Sequence, residues 1–188
     1  MTPHIGGSFP SDASARLSDT GAVKIEPGLS GDEIDRVETT YGFEFADDHR
    51  AFLTAGLPTG QGWPNWRAVG SRALSTQLRL PVDGVLFAVE WKQFWDEVWG
   101  RRPARMKDAL RSAAYQLDRV PTMVPVFATC YLPADGPPRH PVLSIYQDAI
   151  VVAGADLLDY IDRQFGSGHP GSPQASAPTV EFWSAHVR

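Results

Sequence analysis

The amino-acid sequence predicts an α+β domain, and three observations carry that prediction. Apolar residues at helical spacing fill much of the first half of the chain. Short apolar and β-branched runs, bounded by Gly and Pro, dominate the region from about residue 120 to 154. The helical patterns lie before and after those runs instead of alternating with them, as in an antiparallel sheet with helices packed on one face.

Residues 1–27 are rich in Gly, Ser, Pro and Asp without a period, and read as a flexible N-terminal arm. The domain proper is expected over residues 28–166. In LSGDEIDRVETTYGF, Ser30 and Glu33 have the spacing of a capping box. Ile34, Val37 and Tyr41 share one helical face, and Gly42 is suited to the left-handed residue that ends a helix. Asp47 and Asp48 open a second short helix with Phe52 and Leu53 inward and Gly56 as its stop.

The segment 59–67, TGQGWPNWR, is an irregular loop with two tryptophans to shelter. Pro81-Val82-Asp83-Gly84 reads as a turn and 85–89 as a short strand. In EWKQFWDEVWG, Trp91, Phe94, Trp95, Val98 and Trp99 recur at helical spacing, predicting one apolar stripe ended by Gly100. A further helix is expected over about 105–117 and a strand over 124–131. Strands at 142–146 and 149–152 join through Gln147-Asp148 as a two-residue hairpin. After Gly154 a last helix places Leu157, Leu158, Ile161 and Phe165 against a sheet face. Residues 167–188 read as a flexible C-terminal tail, with EFWSAHVR as its end or as a short returning strand.

A length of 188 residues suits one domain with arms. The net charge of −5 argues against the concentrated basic surface of a nucleic-acid binder. A single cysteine, Cys130, excludes an internal disulfide and every multi-cysteine metal site. The chain shows no basic-then-apolar leader and no long apolar run, so a cytoplasmic protein without a membrane partner is expected.

Groups that suggest chemistry have ordinary explanations beside them. Residues 166–171 match G-x-G-x-x-G but follow a helix and include Pro170, which suits a linker better than a nucleotide loop. Cys130 and His140 are the pair a thiol nucleophile would use, although a lone Cys in an apolar strand is commonly a small buried hydrophobe. His49 near Glu44, Asp47 and Asp48 resembles a metal or acid–base cluster, yet acids at a helix start complement its dipole. The run Arg101, Arg102, Arg105, Lys107 and Arg111 would suit an acidic partner or a solvated helix end. No cofactor and no metal are expected.

Taken in order, GLSGDEIDRVETTYGFEFADDHRAFLTAGLPTG, NWR, GVLFAVEWKQFWDEVWGRRP and HPVLSIYQDAIVVAGADLLDYI resemble the SUKH superfamily of fungal cell-wall assembly regulators and bacterial immunity proteins. The resemblance spans roughly residues 28–166 and extends in particular to a branch of actinobacterial-type hypothetical proteins carrying F-W-x-x-x-W-G-x-R-P, here Phe94 to Pro103. Two positions depart from it. Thr129-Cys130 stands where a His-Arg pair is expected before Tyr131-Leu132-Pro133, and Val152-Ala153 replaces an aromatic pair.

What the resemblance implies is a non-enzymatic protein-binding domain, most concretely a toxin-neutralising immunity protein whose partner is a basic toxin domain. The expected contacts are Trp63, Asn65, Trp66 and Arg67. Truncating Trp66 to Ala is then expected to weaken capture of the partner without unfolding the domain. Two alternatives stand beside this reading: a scaffold or regulatory adaptor of the same fold, and a small thiol enzyme using Cys130 and His140.

Overall fold

Ser30 and Glu33 close a reciprocal capping box. The Ser30 hydroxyl accepts the Glu33 N–H at 3.2 Å, and the Glu33 carboxylate accepts the Ser30 N–H at 2.9 Å. Two of the donors left open at a helix start are thereby satisfied. Gly42 ends that helix in the left-handed conformation, at φ 71°.

The computed structural model describes residues 9–135, 139–166 and 180–188. In chain order its elements are α1 (Phe9–Asp19), β1 (Lys24–Glu26), α2 (Gly31–Tyr41), α3 (Asp47–Ala55), β2 (Leu57–Thr59), α4 (Arg72–Trp91) and α5 (Met106–Leu117). They continue as β3 (Met123–Phe127), β4 (Cys130–Pro133), β5 (Val142–Tyr146), β6 (Ala149–Gly154) and α6 (Leu157–Phe165). Strands β3 to β6 form an antiparallel meander in sequence order, and β1 pairs antiparallel with β2. The fold is α+β.

Helices cover both faces of the meander, which corrects the expectation of one covered face. Val124, Val126, Leu132 and Val142 join α1, α2, α3 and α6 in the larger core. Met123, Tyr131, Leu143, Ile145 and Ile150 point the other way, toward Val85 of α4, Leu117 of α5 and Trp183. Strands buried on both sides lose the apolar–polar alternation that marks a half-solvated sheet.

The described residues near each terminus, 9–27 and 180–188, also belong to the fold. Ala13 and Leu17 of α1 are fully buried, α1 packs on α3 and α6, and Arg16 reaches Asp162 at 3.3 Å. The composition of residues 1–27 hid a helix because only a narrow stripe of it is apolar. At the other end Trp183 is 0% exposed, its Nε1–H donates to the Pro121 carbonyl at 2.8 Å, and Val187 bridges Ile150 in parallel. The chain end seals the second core. The linker reading of 166–171 falls largely on residues outside those described.

The turn and strand expected over 81–89 lie inside α4, a single helix of 20 residues. Pro81 is buried within it, and Gly84 has a structural reason of its own. A Cβ there would stand 3.0 Å from the Gln147 Cα, so the missing side chain lets α4 approach the β5–β6 turn. Residues 92–96 then leave the helix, with Gln93 at φ 59°, and Glu97–Trp99 is a 3-10 turn. The aromatic stripe therefore disperses. Trp99 stacks on Phe182 at 5.6 Å and Phe94 meets His186 at 5.1 Å, while Val98 is 90% exposed. The strand expected over 124–131 is a hairpin turning at Ala128, φ 50°.

Candidate functional site

The tryptophan loop splits into buried and exposed parts. Trp66 is 2% exposed, edge-on to Phe45 at 5.0 Å and to His49 at 6.3 Å. Trp63 is buried between Phe127, at 4.8 Å, and Phe165, at 5.5 Å. Asn65 is exposed. Trp63, Asn65 and Arg67 line a cleft of about 270 Å³ together with Glu26, Leu57 and Thr59. Trp66 lies outside that cleft, in the core.

Arg67 ties the loop down. Its Nε donates to Glu33 at 2.9 Å, one Nη reaches Glu26 at 3.4 Å, and the other donates to the Pro27 carbonyl at 2.9 Å. The Glu33 carboxyl is held below its usual range by the Ser30 N–H first and Arg67 next. Glu26 is lowered chiefly by the hydrogen bond from Lys24. Arg67 is a clasp between loop and helix start, with its guanidinium already engaged.

The loop also supports a larger open groove of about 780 Å³, lined by Asp35, Glu38, Glu44, Asp47 and Asp135 among others. Local chain geometry makes it. The turn at Gly42 redirects the chain from α2 into the connection 43–46, which lays Phe43 and Phe45 edge-on at 5.1 Å. Phe45 rests on Trp66, and its N–H donates to Glu38 at 2.8 Å. Glu44 and Asp135 clasp each other: the Asp135 N–H donates to the Glu44 carbonyl at 2.9 Å, and Asp135 Oδ1 accepts the Glu44 N–H at 3.1 Å. The β4–β5 connection is thereby pinned to the α2–α3 connection.

Of these acids only Glu38 is neutralised, by Arg50 at 2.6 and 2.7 Å through one nitrogen. Asp35, Glu44, Asp47 and Asp135 make no ion pair among the described residues. Like charges crowded in a concavity with a protein wall behind them focus a negative potential. Such a groove accepts Lys or Arg side chains in turn. From the sequence, Asp47 is expected as a dipole partner for α3 and Glu44 as a neighbour of His49, while Asp35, Glu38 and Asp135 carry no expectation. The visible signal was the acid-rich string EFADD beside a glycine turn.

Behind the groove, His49 is 1% exposed and its Nδ1 has no hydrogen-bond partner. Burial pushes its imidazole down to about 3. Asp48 beside it is pushed up, chiefly by burial, although it accepts the His49 and Arg139 N–H groups and feels His140. The unfolded His49 binds a proton below about pH 6.5 and the folded one does not, so stability falls as pH drops through that value. Between pH 6.5 and 5 the loss is about 2 kcal/mol from His49 alone. Asp48 acts in the opposite sense at lower pH, because its folded form takes up a proton first. Urea midpoints at pH 7.5, 6.5 and 5 check this. His49→Leu should flatten the decline, and an equal decline in that variant would contradict the assignment.

Cys130 and His140 are held by different neighbours. Burial pushes the Cys130 thiol up, and the polar groups acting on it are Tyr160 and Ser144. Tyr160 lies against the thiol without a well-directed hydrogen bond, and burial raises its phenol strongly. His140 instead acts electrostatically on Asp48. Among the described residues no three or more His, Cys, Asp or Glu side chains are grouped to hold a metal ion, and no helix is long and apolar enough to cross a membrane.

Comparison with protein-family models, curated proteins and solved structures returns no match.

Proposed function

We propose that this is a protein-binding domain that receives a basic segment of its partner in the acidic groove. Its most concrete form is an immunity protein that neutralises a basic toxin domain. The observation that carries this reading is the convergence of Asp35, Glu44, Asp47 and Asp135, unpaired among the described residues, on one open groove backed by rigid aromatic packing. A preformed surface binds without an ordering cost of its own, and charge complementarity speeds encounter by steering. Asn65 and Arg67 line the smaller cleft, and Asn65 is a second candidate contact there. An adaptor of the same fold would use the same groove, and a toxin gene beside that of this chain separates the two.

The test is to neutralise the groove without changing its shape. Asp35→Asn, Glu44→Gln and Asp47→Asn together should slow association with the partner recovered from the native host at least about tenfold at low salt. The melting temperature should stay within about 3 °C, since exposed substitutions cost little. Wild-type association should also slow steeply as salt rises. An unchanged rate in the triple variant would remove the groove from the binding surface.

A further inference from the structure

We infer that the chain pairs with a second copy of itself through the groove between α4 and α5. The groove holds about 560 Å³, with Leu86, Leu110 and Ala114 as its apolar lining and Asp83, Glu90 and Arg111 at its polar margin. On its α4 side stand residues that a monomer would leave in water. Leu80 is 47% exposed, Phe87 44% and Trp91 69%, and the Phe87 and Trp91 rings lie 6.3 Å apart. Positions 80, 87 and 91 recur at i, i+7 and i+11, so these side chains share one flank of α4. Single exposed apolar residues are ordinary, but a contiguous flank beside an apolar groove marks an interface.

Three properties select a second copy as the occupant. The first is charge. Each chain carries −5, so two copies repel over most of their surface and approach best where charge is locally balanced. This flank offers Arg79 and Arg111 against Asp83 and Glu90. Arg79 is spent on Asp83 at 3.3 Å, Arg111 reaches only the exposed Asp108 at 3.6 Å, and Glu90 has no ion pair among the described residues. A two-fold axis brings Glu90 of each copy to Arg111 of the other, giving two identical pairs.

The second property is shape. A two-fold interface uses the same patch twice, so that patch must carry both knob and hole. Phe87 and Trp91 are the knobs, and the space over small Ala114, between Leu86 and Leu110, is the hole. The third is size. At 1.5 Å per residue α4 is about 30 Å long and α5 about 18 Å, and packed helices lie about 10 Å apart. A face of those dimensions approaches the roughly 800 Å² per partner typical of specific dimers. None of its residues lines the acidic groove, so a dimer would present two grooves at once.

Sedimentation equilibrium of the full chain over a range of concentrations tests this. The wild type should sediment at twice the chain mass. Phe87→Glu and Trp91→Glu should each raise the dimer dissociation constant at least about 30-fold, with far-UV circular dichroism unchanged. Trp91 is exposed enough that its variant folds even if the Phe87 variant does not. Glu90→Arg and Arg111→Glu should each weaken the dimer, and combining them should recover most of the loss. A wild type that stays monomeric at every concentration would overturn the inference. So would a dimer that survives all four substitutions.

Discussion

Trp66→Ala should destabilise the domain by about 3–5 kcal/mol, the range for removing a large aromatic side chain from a packed core. For a chain of this size that corresponds to a drop of roughly 6–20 °C in melting temperature. The ring is 2% exposed and supports Phe45 from below, so its loss opens a cavity directly behind the acidic groove. Partner binding should weaken as a consequence of that collapse, because Glu38 and Phe45 are positioned together through the Phe45 N–H. Differential scanning calorimetry with a binding assay at low temperature separates the effects. A melting point within about 2 °C of wild type, with capture lost, would instead make Trp66 a direct contact.

Trp183→Ala should cost a similar amount, about 3–5 kcal/mol, and should do so from five residues before the last described residue, Arg188. The indole is wholly buried among Met123, Tyr131, Leu143 and Ile145, and its Nε1–H satisfies the Pro121 carbonyl. Removing it leaves a cavity and an acceptor without its donor, which adds about 1 kcal/mol or more. Neighbouring bonds hold the segment in place: His186 to Asp96 at 3.1 Å, Arg188 to Asp148 at 3.1 Å, and the Arg188 N–H to the Ile150 carbonyl at 3.0 Å. A fall in the urea midpoint with loss of near-UV dichroism is the expected result. An unaltered midpoint would show that residues 180–188 contribute nothing to the second core.

What the chain states locally was legible, and what depends on distant partners was not. The capping box at Ser30, the stop at Gly42, the hairpin at Gln147-Asp148 and α6 follow from residues within one turn of each other, and each has the predicted form. Pro81 and Gly84 misled because their usual meaning is a turn, whereas tertiary packing holds both inside α4. The spacing of Trp91, Phe94, Trp95, Val98 and Trp99 fits a helix, yet only Trp91 lies in an α-helix: Phe94 and Trp99 are claimed by residues 182–186, over 80 positions away, and Trp95 packs on Trp99. No periodicity reports such contacts.

The candidate site divides along the same line. The exposed members of the tryptophan loop, Asn65 and Arg67, do line a cleft, while the reason for its two indoles turns out to be support. The acidic groove draws Asp35 from α2, Glu44 from a connection and Asp135 from a position 91 residues further on. Only the fold brings them together.

The most direct measurement is affinity capture from the native host with the wild-type chain and with the groove variant Asp35→Asn, Glu44→Gln and Asp47→Asn side by side, followed by identification and salt titration. A basic polypeptide should be retained by the wild type, released progressively as salt rises, and lost from the folded variant. A partner held equally by both, or a small molecule in place of a polypeptide, would contradict the proposal.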